Sequence, residues 1–295
     1  MTWEGVAIQE PNVLFESGTY KMWYTGGWTS AAIGYATCTG DPTVGANWTK
    51  YAGNPVLGQG GSGVAGYASG ASVQKFGSTY YAYYYTANGG GDCKCATSSD
   101  GITWNTPVTI FTAGTPSWCK KFAADLYVWG SSGAWKMLGA NSGNASGGQP
   151  WQTYYATSSN TTPDGGWTVQ GTGPVTSLQP TGAADGVYGS VDLAGATQIN
   201  SLYHCWFHAG IGSYSDIYHA SSSDGQTWTI APRIDLAHNG SAYELQQVAD
   251  PSVLEVSGTS YMFYSGVDNT TPNGYINVAS YPGTLASLLT AEQQQ

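Results

Sequence analysis

Glu10-Pro-Asn-Val-Leu, followed by Gly18 and Tyr24, and Asp250-Pro-Ser-Val-Leu, followed by Gly258 and Tyr264, are one pattern written near both ends of the chain. In each, eight residues separate the leading acid from a glycine and six more reach an aromatic residue. Three further segments keep that spacing. They are Ser69-Gly-Ala-Ser-Val to Gly77 and Tyr83, Asp125-Leu-Tyr-Val-Trp to Gly133 and Gly139, and Asp192-Leu-Ala-Gly-Ala to Asn200 and Trp206. Gly and Asn tolerate the positive φ that a tight hairpin demands. The flanks, such as Tyr20-Lys-Met-Trp-Tyr and Tyr261-Met-Phe-Tyr, are built of strand-favouring aromatics.

Each segment runs on into a third apolar stretch ending on alanine, at Ala36, Ala96, Ala156, Ala220 and Ala279. A polar turn and a tryptophan follow in four copies, as Trp48, Trp104, Trp167 and Trp228. Four strands per copy and a period of about 60 residues predict an all-β, five-bladed β-propeller. A β-sandwich has no need of five equal copies. The fifth copy lacks its tryptophan, and Thr2-Trp3-Glu4 matches the Thr-Trp of the other fourth strands. The N-terminal strand is therefore expected to complete the fifth blade and close the ring, which removes two exposed sheet edges. The whole chain, 1–295, reads as one domain, with 283–295 as a polar tail.

Composition narrows the function. Charged residues make up 9% of the 295, against 42 Gly, 22 Tyr and 12 Trp, and 41% are hydrophobic. That mixture folds rather than staying disordered. The net charge of −10, from 18 acidic and 8 basic residues, opposes nucleic acid and anionic membrane surfaces, both of which are bound through Lys and Arg. Neutral sugars fit better, because Trp and Tyr offer flat apolar faces with a polar edge. Five unevenly spaced cysteines make no disulfide framework and read as buried thiols. The N-terminus has neither the charged start nor the apolar core of a signal peptide. An extracellular role then implies release by lysis or carriage on a virion.

The first strand of a propeller blade lines the central channel, so the leading positions should ring one mouth: Glu10, Ser69, Asp125, Asp192 and Asp250. Clustered carboxylates push their pKa values apart or recruit a cation such as Ca²⁺. Two of them flanking a glycosidic bond can hydrolyse it. The competing reading is structural, since an Asp opening a strand also caps a turn, above all in Asp-Pro. Glu10, Asp125 and Asp192 are the catalytic candidates, and Ser69 and Asp250 would contact substrate. Trp28 and Trp118 lie in loop-like sequence near the expected mouth and are candidates for stacking on a sugar. His204 and His208 should share a strand face and read as part-buried imidazoles.

Glu10-Pro-Asn-Val-Leu-Phe-Glu-Ser-Gly-Thr-Tyr-Lys-Met-Trp-Tyr resembles the first blade of the invertase-type fructosidases and related five-bladed glycosidases. Tyr67-Ala-Ser-Gly-Ala-Ser-Val resembles their second blade, Phe122-Ala-Ala-Asp-Leu-Tyr-Val-Trp their third, and Val191-Asp-Leu the end of a fourth-blade motif. The resemblance implies a nucleophile or base at Glu10 and a transition-state-stabilising carboxylate at Asp125. It also carries departures. Glu10 stands where the family has Asp, which moves the carboxylate roughly 1–1.5 Å outward. Ala124 stands where the family has Arg, and Gly189 where it has its acid/base Glu. Ala71 occupies the second-blade Asp of the arabinanase and xylosidase families. Asp185, Glu244 and Asp192 are the acids that could substitute. Two functions follow: a propeller that binds a glycan and hydrolyses it, or an inactive glycan-binding or structural module of a virion or surface assembly with protein partners.

Overall fold

The computed structural model describes residues 3–5, 7–27, 29–61, 66–87, 91–122, 126–146, 151–180, 191–192, 198–211, 214–241, 243–244, 246–268 and 273–293. Among them the strands form four sheets in a propeller arrangement. The first holds β1 (Ile8–Glu16), β2 (Thr19–Gly26), β3 (Ala32–Cys38), β4 (Trp48–Lys50) and β5 (Leu57–Gly58). The second holds β6 (Ser69–Phe76), β7 (Thr79–Tyr85), β8 (Cys93–Ser98) and β9 (Val108–Phe111). The third holds β10 (Lys121–Phe122), β11 (Tyr127–Ser131), β12 (Ala134–Ser142), β13 (Trp151–Ser158) and β14 (Trp167–Val169). The fourth is seven-stranded: β15 (Val191–Asp192), β16 (Tyr203–Ile211), β17 (Tyr214–Ser222), β18 (Thr229–Leu236), β19 (Gln247–Val256), β20 (Thr259–Asp268) and β21 (Asn273–Tyr281).

The sequence repeat expects five blades, and the sheets number four. The physical reason is one parallel contact. Ser215 of β17 pairs with Gln247 of β19, and the Ser215 N–H donates to the Gln246 carbonyl at 3.2 Å. These bonds merge the fourth and fifth repeats into one sheet. The hairpins follow the spacing closely. Ser17 and Gly18 carry φ of 49° and 80°, and Ser257 and Gly258 carry 51° and 79°, as a type I′ turn between β1 and β2, or β19 and β20, requires.

The repeated tryptophans act as wedges between neighbouring repeats. Trp104 packs into the first sheet against Trp23 and Tyr35. Trp167 packs against Tyr81 and Tyr83 of the second sheet, and Trp228 against Trp129 and Tyr155 of the third. Trp48 closes on Phe263 of the last repeat, ring centres 5.8 Å apart and nearly perpendicular. Each wedge buries a large aromatic face, the strongest apolar contribution one side chain can make.

The fifth wedge is not Trp3. Trp3 stacks on Tyr24 in the first sheet at 6.1 Å, in the space that Gly26 and Gly34 leave open. Residues 2 and 6 of the expected closing strand lie outside the described residues. Ala7 makes an isolated parallel bridge to Gly274 of β21. The wedge between the fourth and fifth repeats comes instead from α1 (Leu285–Gln293), within the tail. Leu285 and Leu289 are buried there against Trp206 and Ile217.

Candidate functional site

Glu10 and Asp250 sit on β-bulges, and so does Gly70, the neighbour of Ser69. Pairing of β1 with β2 is interrupted between Gln9 and Asn12, of β6 with β7 between Ser69 and Ser72, and of β19 with β20 between Ala249 and Ser252. The residue at the bulge has positive φ in each: Glu10 at 54°, Gly70 at 60° and Asp250 at 53°. A non-glycine residue held there stores roughly 1–3 kcal/mol of strain. Bulges of this kind re-aim side chains and concentrate next to functional sites.

This register corrects one expectation. Counting from the hairpin, Glu10 and Asp250 correspond to Gly70, and Ser69 corresponds to Gln9. The slip arises because the glycine is the first loop residue in Gly77-Ser78 but the second in Ser17-Gly18. The second repeat therefore offers a backbone N–H where the first and fifth offer carboxylates.

The bulges are laced to one another around the ring. The Glu10 N–H donates to Ser265 Oγ at 2.8 Å, the Gly70 N–H to Thr25 Oγ1 at 3.0 Å, and the Asp250 N–H to His208 Nδ1 at 3.1 Å. Ser265, Thr25 and His208 face Ile276, Ile33 and Ile217 across their sheets, so they are equivalent positions on the second strand of successive repeats. Three residues past the bulge, the Val13 N–H donates to Ser252 Oγ and the Val73 N–H to Asn12 Oδ1, both at 3.0 Å.

Glu10 is buried, and its carboxylate gathers donors from Thr25, Ser69, Gly70 and Tyr85. Oε2 accepts from the Gly70 N–H at 2.7 Å and the Ser69 hydroxyl at 2.8 Å, and Oε1 accepts from the Tyr85 hydroxyl at 3.0 Å. These bonds favour the ionised form, yet burial and then repulsion by the Asp250 carboxylate outweigh them and raise the Glu10 pKa. Burial holds His208 down to about 3. It is therefore neutral, with Nδ1 unprotonated to accept the Asp250 N–H and its proton on Nε2. Its 3.6 Å approach to Asp250 Oδ1 is a contact between a neutral ring and a carboxylate, not an ion pair.

The other candidates fall in different places. Trp28 and Asp125 lie outside the described residues, as do Ala124, Asp185 and Gly189. The backbone of Asp192 pairs with Trp206, two residues before His208. Asn12 holds that position in the first repeat, opposite Trp23. Nothing is described of the Asp192 side chain. Trp118, between β9 and β10, packs partly buried against the cluster that holds Phe111 and Phe122. Glu244 is buried and accepts from the Tyr264 hydroxyl at 2.5 Å and from the Asn239 amide. Glu4 receives the Tyr24 hydroxyl in the same way at 2.6 Å, and each carboxylate stands six residues before its bulge residue. His204 and His219 lie stacked, His204 Nδ1 to His219 Nε2 at 2.9 Å. Among the described residues no group of three His, Cys, Asp or Glu comes together to hold a metal ion.

Tyr85 is the site residue that the spacing missed. It occupies in the second repeat the position of Thr25, Ser265 and His208, and a register counted from the hairpins finds it. Its ring also lies 6.1 Å from Tyr67, which brings a second aromatic beside the buried carboxylate.

The chain has the β-propeller fold of glycoside hydrolases of families 43 and 62. It aligns with the α-L-arabinofuranosidase PaAbf62A of Podospora anserina in complex with cellotriose at a TM-score of 0.68 and 14% identity, covering 94% of this chain and 92% of that one. A GH62 hydrolase in complex with xylotriose gives 0.67 at 13%, covering 94% and 92%. A thermostable family-43 glycoside hydrolase gives 0.67 at 13%, covering 95% and 91%. No protein-family model matches the sequence, and no curated protein matches it.

Proposed function

We propose that this chain is a five-bladed, carbohydrate-active propeller that binds a glycan over the ring of leading residues and hydrolyses a glycosidic bond there. The five core clusters, one between each pair of successive repeats and one joining last to first, support counting the seven-stranded sheet as two blades. The observation that carries the functional reading is the buried Glu10 carboxylate. It is fixed on a strained bulge beside Asp250, and hydrogen-bond donors from the first and second repeats aim it.

A carboxyl group whose pKa is raised by burial is suited to hold a proton and deliver it to a leaving oxygen. That role falls to Glu10, since Gly189 stands at the position expected to supply it. Asp125 is the partner carboxylate, with Asp250 beside Glu10 on the ring, Asp192 two positions beyond the ring on its own strand, and Ser69, Trp28 and Trp118 contacting the sugar. The cellotriose and xylotriose held by two of the similar structures support a polysaccharide as partner. A Ca²⁺ ion across the axial carboxylates is the alternative to that proton, because it would offset the same repulsion between Glu10 and Asp250 and leave Glu10 ionised. A melting temperature unmoved by chelator refutes the ion.

The test is release of reducing sugar from plant, algal and bacterial polysaccharides. Release that falls at least about a hundredfold in Glu10→Gln and in Asp125→Asn is the expected result. No release, or release undiminished in both variants, removes the catalytic part. A second reading, glycan recognition without turnover on a virion or surface assembly, has one observation in its favour. Both oxygens of Glu10 are already engaged by protein donors. Glycan-array binding without product would decide for it.

A further inference from the structure

A cavity of about 580 Å³ lies in the seam between the first sheet and the last repeat, outside the ring of bulges. Trp48, Phe263 and Tyr243 give it aromatic walls, and Asn239, Ser241 and Glu244 give it polar ones. Its size is that of a small-molecule site. Tyr243 is 57% exposed, held edge-on to Tyr275 at 4.9 Å, so a flat aromatic face stands open to solvent beside hydrogen-bonding groups.

The charges in the cleft decide what it can hold. Lys50 lines it but already gives its ammonium to Glu4 at 2.8 Å. Glu244 keeps acceptor capacity, since each of its oxygens takes one donor and can take two. An anion would meet Glu244 and a chain of net charge −10. An apolar ligand would strip water from Glu244 and Lys50 without replacing the hydrogen bonds, which is costly. A neutral polyhydroxylated ligand meets neither cost, because its hydroxyls pair with Asn239, Ser241 and Glu244 while its C–H face lies on an aromatic ring.

We infer that this cleft is a second binding site for a neutral oligosaccharide, separate from the axial one. The inference rests on the carbohydrate reading of the chain but uses none of the axial residues. Both walls come from opposite ends of the sequence, so occupation would tie the last repeat to the first.

The test is calorimetric titration of cellotriose and of xylotriose into the full chain, into Tyr243→Ala and Ser241→Trp, and into Glu10→Ala. Two sites are expected in the unaltered chain. Removing the exposed Tyr243 ring should weaken one site roughly tenfold, and Ser241→Trp should block the same site by filling its mouth. Glu10→Ala should weaken only the other. Binding unaltered in both cleft variants but lost in Glu10→Ala overturns the cleft and keeps the axial reading. Binding unaltered in Glu10→Ala but lost in the cleft variants keeps the cleft and overturns the axial reading. Absence of binding by either sugar overturns both.

Discussion

Replacing Leu289 by alanine tests whether α1 does the work of the missing fifth tryptophan. Leu289 is 3% exposed and Leu285 4%, and both close on Trp206, itself 1% exposed. The substitution removes three buried carbons from a wall formed by a rigid indole and by Ile217 and Val248, both fully buried. Such a site cannot collapse, which puts the loss at about 2–5 kcal/mol. At about 2 °C per kcal/mol for a chain of this size, the melting temperature should fall by roughly 4–10 °C. Urea unfolding followed by circular dichroism gives the free energy, and calorimetry gives the temperature. Thr290→Ala, on the exposed side of the same helix, is the control and should move neither by more than about 0.5 kcal/mol. A Leu289→Ala loss no larger than that control would refute the wedge, because the helix would then merely rest on the surface.

Three further outcomes are expected. Glu10 has a raised pKa, so the folded chain keeps a proton that the unfolded chain releases; its contribution is full below about 4.5 and is lost as pH rises through the folded value. Melting temperatures from pH 4 to 8 should therefore fall more steeply for the unaltered chain than for Glu10→Gln, and parallel curves would contradict the assigned burial. His208 runs the other way. Held at about 3 against an ordinary 6.5, it contributes stability that is complete above 6.5 and lost as pH falls towards 3, and His208→Asn should flatten that acid limb; an unchanged limb counts against it. Gly101 has φ of 78°, and a Cβ there would meet Trp23 at 2.7 Å. Gly101→Ala should thus cost about 1–3 kcal/mol in urea unfolding, and a neutral result would mean the wedge turn relaxes freely.

The repeat and its hairpins were legible because turns constrain residue type directly: positive φ favours glycine, and a glycine or asparagine recurs at a fixed offset in each copy. The tryptophan wedges were legible as a pattern, though not as contacts across repeats. What escaped was set by events that spacing does not record. Gly77 looks like Gly18 in sequence, yet it opens its turn instead of closing it, and this one-residue difference moves Ser69 off the bulge. Tyr85 was hidden in a run of tyrosines that all favour strands. Leu285 and Leu289, four apart, carry a helical spacing too short to stand out in a polar tail. The bond from Ser215 to the Gln246 carbonyl, which fuses two repeats, depends on where two chain segments meet in space.

The contact between the first and last sheets has a consequence for how the molecule breathes. Side chains alone span most of that joint, with Ala7 and Gly274 as an isolated backbone bridge. Elsewhere a run of consecutive residues carries the chain from one sheet to the next. The joint is accordingly the place where the circle can part without any strand being torn from its sheet. Amide protons along β21 and at Ala7 should exchange with solvent through such partings at lower free energy than those of β7 or β16. Occupancy of the neighbouring cleft should slow them, like a clasp on a bracelet.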